Sequence, residues 1–118
     1  MDVIRLELPY PPALNSLYRS AGKRWYISDK ARKYKETVYI SVRHQNAPNF
    51  ASTLLSMKIY IYPPDKRKRD IDGILKATLD SLQKAAVYDD DCQIKKLYCE
   101  MLSPIHLGKL LIEIAPLP

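Results

Sequence analysis

Hydrophobic and polar positions alternate in four segments of the chain and recur every three or four residues in two others. Val3 to Leu8 places Ile4, Leu6 and Leu8 on one face and Arg5 and Glu7 on the other, the pattern of a half-buried strand. Pro9, Pro11 and Pro12 end it, because proline cannot donate to a ladder. Ala13 to Ile27 shows no clear period and reads as a loop, with Gly22 allowing a turn. Ser28 then caps a helix expected to run to about Arg43 or Gln45, with Ala31, Tyr34, Val38 and Val42 as its core stripe. Leu54 to Tyr62 alternates again, with Leu55, Met57, Ile59 and Ile61 on one face, and Pro63-Pro64 stiffens its exit. A second helix of roughly fourteen residues starts near Ile71, with Ile71, Leu75, Leu79, Leu82 and Ala86 as its apolar stripe and Ile74 and Thr78 beside it. Gln93 to Leu102 and Lys109 to Ala115 read as the last strands, joined by a turn over Ser103–Gly108. The order β-α-β-α-β-β predicts an α+β fold, a single domain over residues 1–118 with two helices packed on a mixed or largely antiparallel sheet.

Composition narrows the chemistry. With 118 residues, 47% of them hydrophobic, the chain can bury a core without disulfide or metal staples. No apolar run approaches the roughly 20 residues of a membrane span, and the start lacks the features of a signal peptide. A cytoplasmic protein with no membrane partner is expected. Cys92 and Cys99 lie seven residues apart, so on one strand they would face opposite ways and would not pair. With His44 and His106 as the only histidines there is no zinc pattern, and any metal must be held by oxygen, as Mg²⁺, Mn²⁺ and Ca²⁺ are. No P-loop or glycine-rich dinucleotide motif is present, so no nucleotide cofactor is expected.

Charge points to the partner. The net charge is +6. The excess lies before residue 89, chiefly in Leu17–Glu36, with seven cations to two anions, and Lys58–Lys76, with six to three. Such a balance suits a polyanion, most often nucleic acid. Tyr18, Trp25 and Tyr26 stand among Arg19, Lys23 and Arg24, which fits either base stacking with phosphate contact or aromatics tucked onto the core.

The densest chemistry is Lys66–Lys76, Lys-Arg-Lys-Arg-Asp-Ile-Asp-Gly-Ile-Leu-Lys. Cations attract phosphate, whereas carboxylates repel it unless a divalent metal lies between. Asp70 just before the helix and Asp72 in its first turn can converge where backbone N–H groups point outward, with Lys76 one turn further along. Asp72, Lys76 and Asp80 also fit a plain helical ion-pair ridge. Asp89-Asp90-Asp91 is the next acidic cluster, readable as a turn or as the source of a further ligand. As a ligand it must return to the beginning of the second helix, about 21 Å from that helix's far end. Spacing does not decide this.

The ordered set resembles the RusA family of Holliday junction resolvases over nearly the whole chain. Pro9–Arg19 is similar to the family's Pro-Pro-x-x-Asn-x-x-Tyr pattern, Arg69–Lys76 to its Asp-x-Asp-Asn-x-x-Lys, and Tyr88–Ile94 to its aromatic-x-Asp-Asp-x-Gln. The resemblance implies metal-binding catalytic carboxylates at Asp70, Asp72 and Asp91, a catalytic lysine at Lys76 and a supporting Asp90. It implies a homodimeric, Mg²⁺-dependent endonuclease, with Mn²⁺ as a substitute, that nicks opposed strands of four-way junction DNA in recombination and repair. Arg67, Lys68 and Arg69 would join Lys76 in binding DNA, and the origin would be bacterial or phage-encoded. The chain departs from the pattern at Gly73, where the family usually has asparagine. The competing readings are a non-catalytic basic nucleic-acid-binding module and a metal-dependent nuclease acting on flaps or duplex.

Overall fold

The elements run β1 (Ile4–Leu8), β2 (Tyr18–Ala21), β3 (Arg24–Ile27), α1 (Asp29–His44), β4 (Leu55–Tyr62), α2 (Ile71–Lys84), β5 (Ile94–Met101) and β6 (Lys109–Pro116). A single 3₁₀ turn, Asp91–Gln93, precedes β5. This computed structural model describes residues 3–13, 18–21 and 24–118, with the side chains of 18–21 and 24–27 outside the description. The four alternating segments form one sheet in the order β1-β6-β4-β5. β6 is antiparallel to both β1 and β4, while β5 is parallel to β4. The sheet is therefore mixed and the fold α+β, as the pattern implies.

The alternation buries the side chains it selects. Leu55, Met57, Ile59 and Ile61 of β4 and Leu110, Ile112 and Ile114 of β6 are all buried against the helical layer. On α1 the stripe Ala31, Tyr34, Val38 and Val42 faces the core, and the Ser28 hydroxyl accepts the Ala31 N–H as an N-cap. The Tyr34 hydroxyl donates to the Pro9 carbonyl at 2.7 Å, which ties the exit of β1 to α1. Ala31 and Ala77 meet between the helices, small side chains that let α1 and α2 approach closely.

Two expectations require correction. Part of the segment read as a loop is a β-hairpin, β2 pairing antiparallel with β3 from Tyr18↔Ile27 to Ala21↔Arg24 as its own two-stranded sheet. Strands of four residues offer too few positions for alternation to stand out. The side chains of Tyr18, Arg19, Lys23, Arg24, Trp25 and Tyr26, read as stacking and phosphate groups, lie outside the described ones.

The buried face of α2 is centred on the residues expected beside the stripe, with Leu75 and Leu79 only partly buried. Ile74, Ala77, Thr78, Ser81 and Leu82 are buried with Gly73, whereas Ile71 is exposed. Ala86 lies beyond the helix in the left-handed region, φ 61°. There the Ala86 N–H donates to Gln83 O and the Val87 N–H to Leu82 O, the paired bonds of a Schellman stop. That stop turns Val87 and Tyr88 into the core.

The unit β4-α2-β5 positions the chemistry. Because β4 and β5 are parallel neighbours, α2 must carry the chain back across the sheet between them. The start of α2 thus lies at the C-terminal end of β4, and its end lies where β5 begins. Gly108, φ +65°, seals the first of these ends, since a Cβ there would stand 2.9 Å from the Tyr62 carbonyl oxygen and 3.0 Å from Pro64.

Candidate active site

Residues 65–70 form a tight basic turn organised by one carboxylate. Asp65 accepts the Arg67 N–H at 2.9 Å and the Arg69 guanidinium at 2.7 Å. Those bonds, the Arg69 one foremost, hold its carboxyl down at about 2. The Arg69 side chain, 18% exposed, also donates to the Asp65 and Arg67 carbonyls and lies 5.6 Å over the Tyr10 ring. Arg69 therefore shapes the turn. Lys66, Arg67 and Lys68 project into solvent.

The turn delivers Asp70 and Asp72 to one place. Asp70 occupies the N-cap position of α2, yet its side chain makes no capping hydrogen bond, and Asp72 follows in the first turn with Oδ1 accepting the Gly73 N–H. An N-cap aspartate that leaves its helix uncapped forgoes about 1 kcal/mol of local stabilisation. Both carboxylates line a groove of ≈ 730 Å³, walled on one side by Tyr10, Pro11, Pro12 and Ala13 and on the other by Lys68, Arg69, Gly73 and Ile74. Two carboxylate side chains at an open, cation-rimmed groove fit a hard divalent cation of the Mg²⁺ type. Such an ion takes one or two protein carboxylates and completes its octahedron with water and phosphate oxygen.

Lys76 lies one turn further along α2, and its ammonium pairs with Asp80 at 3.5 Å, so the ion pair on this ridge runs toward the end of the helix. Asp91 is further still. Its backbone N–H donates to Gln83 Oε1 at 2.9 Å, which fixes it beside the last turn of α2. From Asp72 to Gln83 the helix advances about 16 Å at 1.5 Å per residue. Burial pushes the Asp91 carboxyl above its usual range; the neighbouring Asp90 and Asp80 carboxylates add to this and Lys76 opposes it. Among the described residues no three histidine, cysteine or acidic side chains stand close enough to hold a metal together. One chain thus places Asp70 and Asp72 at one groove, while the Asp91 backbone is tied to the Gln83 side chain and its carboxyl feels Asp80 and Lys76. Although β5 does run antiparallel to α2, Asp91 precedes that strand and is not carried back by it.

Two glutamines hold the Asp91 turn in place, Gln93 of the aromatic-x-Asp-Asp-x-Gln pattern and Gln83, which carries no motif. Gln93 is buried, and its amide donates to the Ala51 and Thr53 carbonyls at 2.7 and 2.8 Å while its Oε1 accepts the Asp90 N–H at 2.7 Å. The Asp90 side chain in turn accepts the Cys92 N–H, closing a capping box around the 3₁₀ turn. That bond, with the Cys92 thiol, lowers the Asp90 carboxyl. Asp-x-x-Gln is a capping-box spacing, so Gln93 was legible as a turn-former, whereas Gln83 carried no signal. The Tyr88 hydroxyl completes the support by donating to Leu79 O at 2.7 Å.

A basic turn, two carboxylates and a lysine thus stand along the start of one helix. The family model described as Endodeoxyribonuclease RusA matches residues 9–115, and the chain belongs to that family of nucleases. It is 38% identical over 117 residues, 99% of this chain and 98% of the relative, to the crossover junction endodeoxyribonuclease of Enterobacteria phage HK97. It is 31% identical to that of Enterobacteria phage 82 and 30% identical to that of Escherichia coli strain K12, each over 80% of this chain and 78% of the relative. No helix among the described residues is long and apolar enough to cross a membrane.

Proposed function

We propose that this protein is a Mg²⁺-dependent endonuclease that resolves four-way junction DNA by paired nicks, acting as a homodimer in recombination and repair. The observation that carries the reading is the pairing of Asp70 and Asp72 at one cation-rimmed groove, with the Asp70 carboxylate left out of the helix cap it occupies. The names of the relatives support the junction as substrate.

In this reading Asp70 and Asp72 hold the ion. When bound, Mg²⁺, or Mn²⁺ in its place, supplies a water-derived nucleophile at neutral pH and a counter-charge at the phosphate. The remaining steps belong to the chain. The exposed Lys66, Arg67 and Lys68 bind flanking phosphates, which sets the register of the backbone without reading bases. Arg69 acts behind them, locking the turn through Asp65. Lys76 exchanges Asp80 for a non-bridging phosphate oxygen, and its ammonium neutralises charge that grows as water oxygen attacks phosphorus and the bond to O3′ breaks. Asp91 joins from a second chain, since in its own chain its backbone N–H is tied to Gln83, eleven residues after Asp72 on α2. A dyad also matches the substrate, because opposed nicks need two sites related by two-fold symmetry.

One observation favours the rival, a basic DNA-binding module with solvated aspartates: no three-carboxylate cluster forms within the described residues of one chain. The test offers four-way junction, flap and duplex DNA with Mg²⁺ or EDTA and maps the cuts. Symmetric paired nicks on the junction, abolished by EDTA, are expected. Salt-sensitive binding without cleavage establishes the rival, and equal cutting of flap or duplex removes the junction selectivity.

A further inference from the structure

Both helices pack on one face of the four-stranded sheet, and the residues that alternate with the core positions form the other face. Across β6, β4 and β5 the register sets Lys109 beside Tyr62, Leu111 beside Tyr60 and Glu100, and Glu113 beside Lys58 and Tyr98. Tyr62, Tyr60 and Tyr98 thus make a diagonal row on this outer face. Tyr98 is 49% exposed, and Tyr60 and Tyr62 are half-buried at the surface. We propose that the row is a stacking platform for the bases of single-stranded DNA, a site separate from the groove that holds Asp70 and Asp72.

Spacing and charge select that occupant. The Tyr60 and Tyr98 ring centroids are 6.1 Å apart and the rings are tilted by 55°. Tyr60 and Tyr62 are two residues apart on one strand, a rise of about 6.7 Å. Bases stacked in a duplex rise about 3.4 Å each, so successive bases of a helix cannot each meet a ring. An unpaired strand spread to about twice that rise presents one base to each ring, and every base has a face that stacks on an aromatic. Cations flank the row. Lys109 Nζ lies 5.6 Å over the Tyr62 ring, Lys58 stands across from Tyr98, and Lys96 lies two residues before it on β5. Lys58 and Lys96 are exposed, and among the described residues neither makes an ion pair. The acidic residues of the face are already engaged: Glu7 with Lys109 at 3.2 Å, Glu113 with Arg5 at 3.0 Å, and Glu100 as acceptor of the Tyr98 hydroxyl at 3.1 Å.

A protein partner needs an interface core depleted of charge. Here Lys58, Glu100 and Glu113 stand next to the rings in the register, which interrupts such a core and suits flat bases on a charged backbone. The row also begins beside the groove, because Tyr62 leads into Pro63 and Pro64, and Pro64 is one of the groove's walls. A strand leaving the groove would pass onto Tyr62 and run toward Tyr98. That path rests on the nuclease reading above, whereas the binding itself does not, since stacking needs no metal.

The test measures binding of fluorescein-labelled oligo-dT in EDTA, where metal-dependent cleavage is silent. The wild type is expected to bind it, more weakly as salt rises. Tyr60→Ala and Tyr98→Ala are each expected to weaken binding about fivefold or more, the lower end of a base–aromatic stack, while Tyr98→Phe, which keeps the ring, stays within about twofold. Ultraviolet cross-linking of an oligonucleotide carrying 5-iododeoxyuridine is expected to mark the peptides that contain Tyr60, Tyr62 or Tyr98. No binding by the wild type, folded alanine variants that bind as the wild type does, or cross-links confined to Lys66–Arg69 overturns the proposal. Alanine variants that change the sedimentation of the protein but not its hold on oligo-dT give the face to a second copy, and overturn it too. Ring-dependent binding by a protein inert on junction DNA retains the platform and removes only the nuclease reading.

Discussion

Replacing Gln93 with alanine separates the placement of Asp91 from its chemistry. The wild-type amide donates to the Ala51 and Thr53 carbonyls and accepts the Asp90 N–H from a position only 5% exposed. Each bond contributes about 1 kcal/mol net, and a buried group left without a partner costs about 1–3 kcal/mol. The Ala51 carbonyl keeps a second donor in the Asp89 N–H at 3.1 Å, so the loss falls mainly on Thr53 O and Asp90 N. A destabilisation of about 3 kcal/mol follows, or a Tm lowered by roughly 10–15 °C for a domain of this size. The expected result from urea unfolding is a lower midpoint with unchanged m-value. Junction cleavage under conditions where the variant remains folded is expected to fall tenfold or more, with junction binding retained. A loss below about 0.5 kcal/mol, the range of ordinary surface substitutions, would refute the reasoning, because the turn would then be held by something other than Gln93.

Three further outcomes follow from the site. Asp70→Asn is expected to bind junction DNA as the wild type does while cleaving it at least about 100-fold more slowly, the scale of losing one electrostatic catalytic group; normal cleavage in Mg²⁺ rejects Asp70 as a ligand. Lys76→Ala is expected to slow single-turnover cleavage about 10–100-fold while Mg²⁺ binding by calorimetry and the unfolding midpoint stay close to wild type; a collapse of stability instead marks Lys76 as a structural partner of Asp80. The Asp65 carboxyl is held below its unfolded value, so its contribution to stability is fully present above about pH 4 and is lost as pH falls through about 2. The stability difference between wild type and Asp65→Asn is therefore expected to be flat above pH 4 and to shrink toward pH 2; a difference that grows on acidification contradicts the ion pair.

Much of the fold was legible because its strands are half-buried, so that the pattern in Leu55–Ile61 or Leu110–Ile114 records the sheet face directly. The α1 stripe was equally readable, since Ala31, Tyr34, Val38 and Val42 all face the core. On α2 the apolar residues exceed what one face can bury. Small residues, Ala77 at the contact with α1 and Thr78 and Ser81 facing inward, set the rotation that leaves Ile71 outside. Parallel pairing of β4 with β5 leaves no local trace in either strand, yet it decides that the two ends of α2 lie at opposite ends of the sheet. The Asp-x-Asp pair was visible because its geometry is local to one helix start. The place of Asp91 was not, because it depends on the Schellman stop at Ala86 and on hydrogen bonds to Ala51 and Thr53, some forty residues away. Arg69 shows the same limit in charge: next to Lys68 in sequence, it pairs with Asp65.

The central claim, that Asp70 and Asp72 of one chain act with Asp91 of another, is tested most directly by mixing two inactive proteins. Asp70→Asn and Asp91→Asn chains are each expected to be inert on junction DNA with Mg²⁺. Exchanged into heterodimers, they form one wild-type site and one doubly damaged site, so the mixture is expected to nick one strand of the junction without the paired second cut. A mixture as inert as its components, in heterodimers verified by mass, would contradict the account and return all three carboxylates to a single chain.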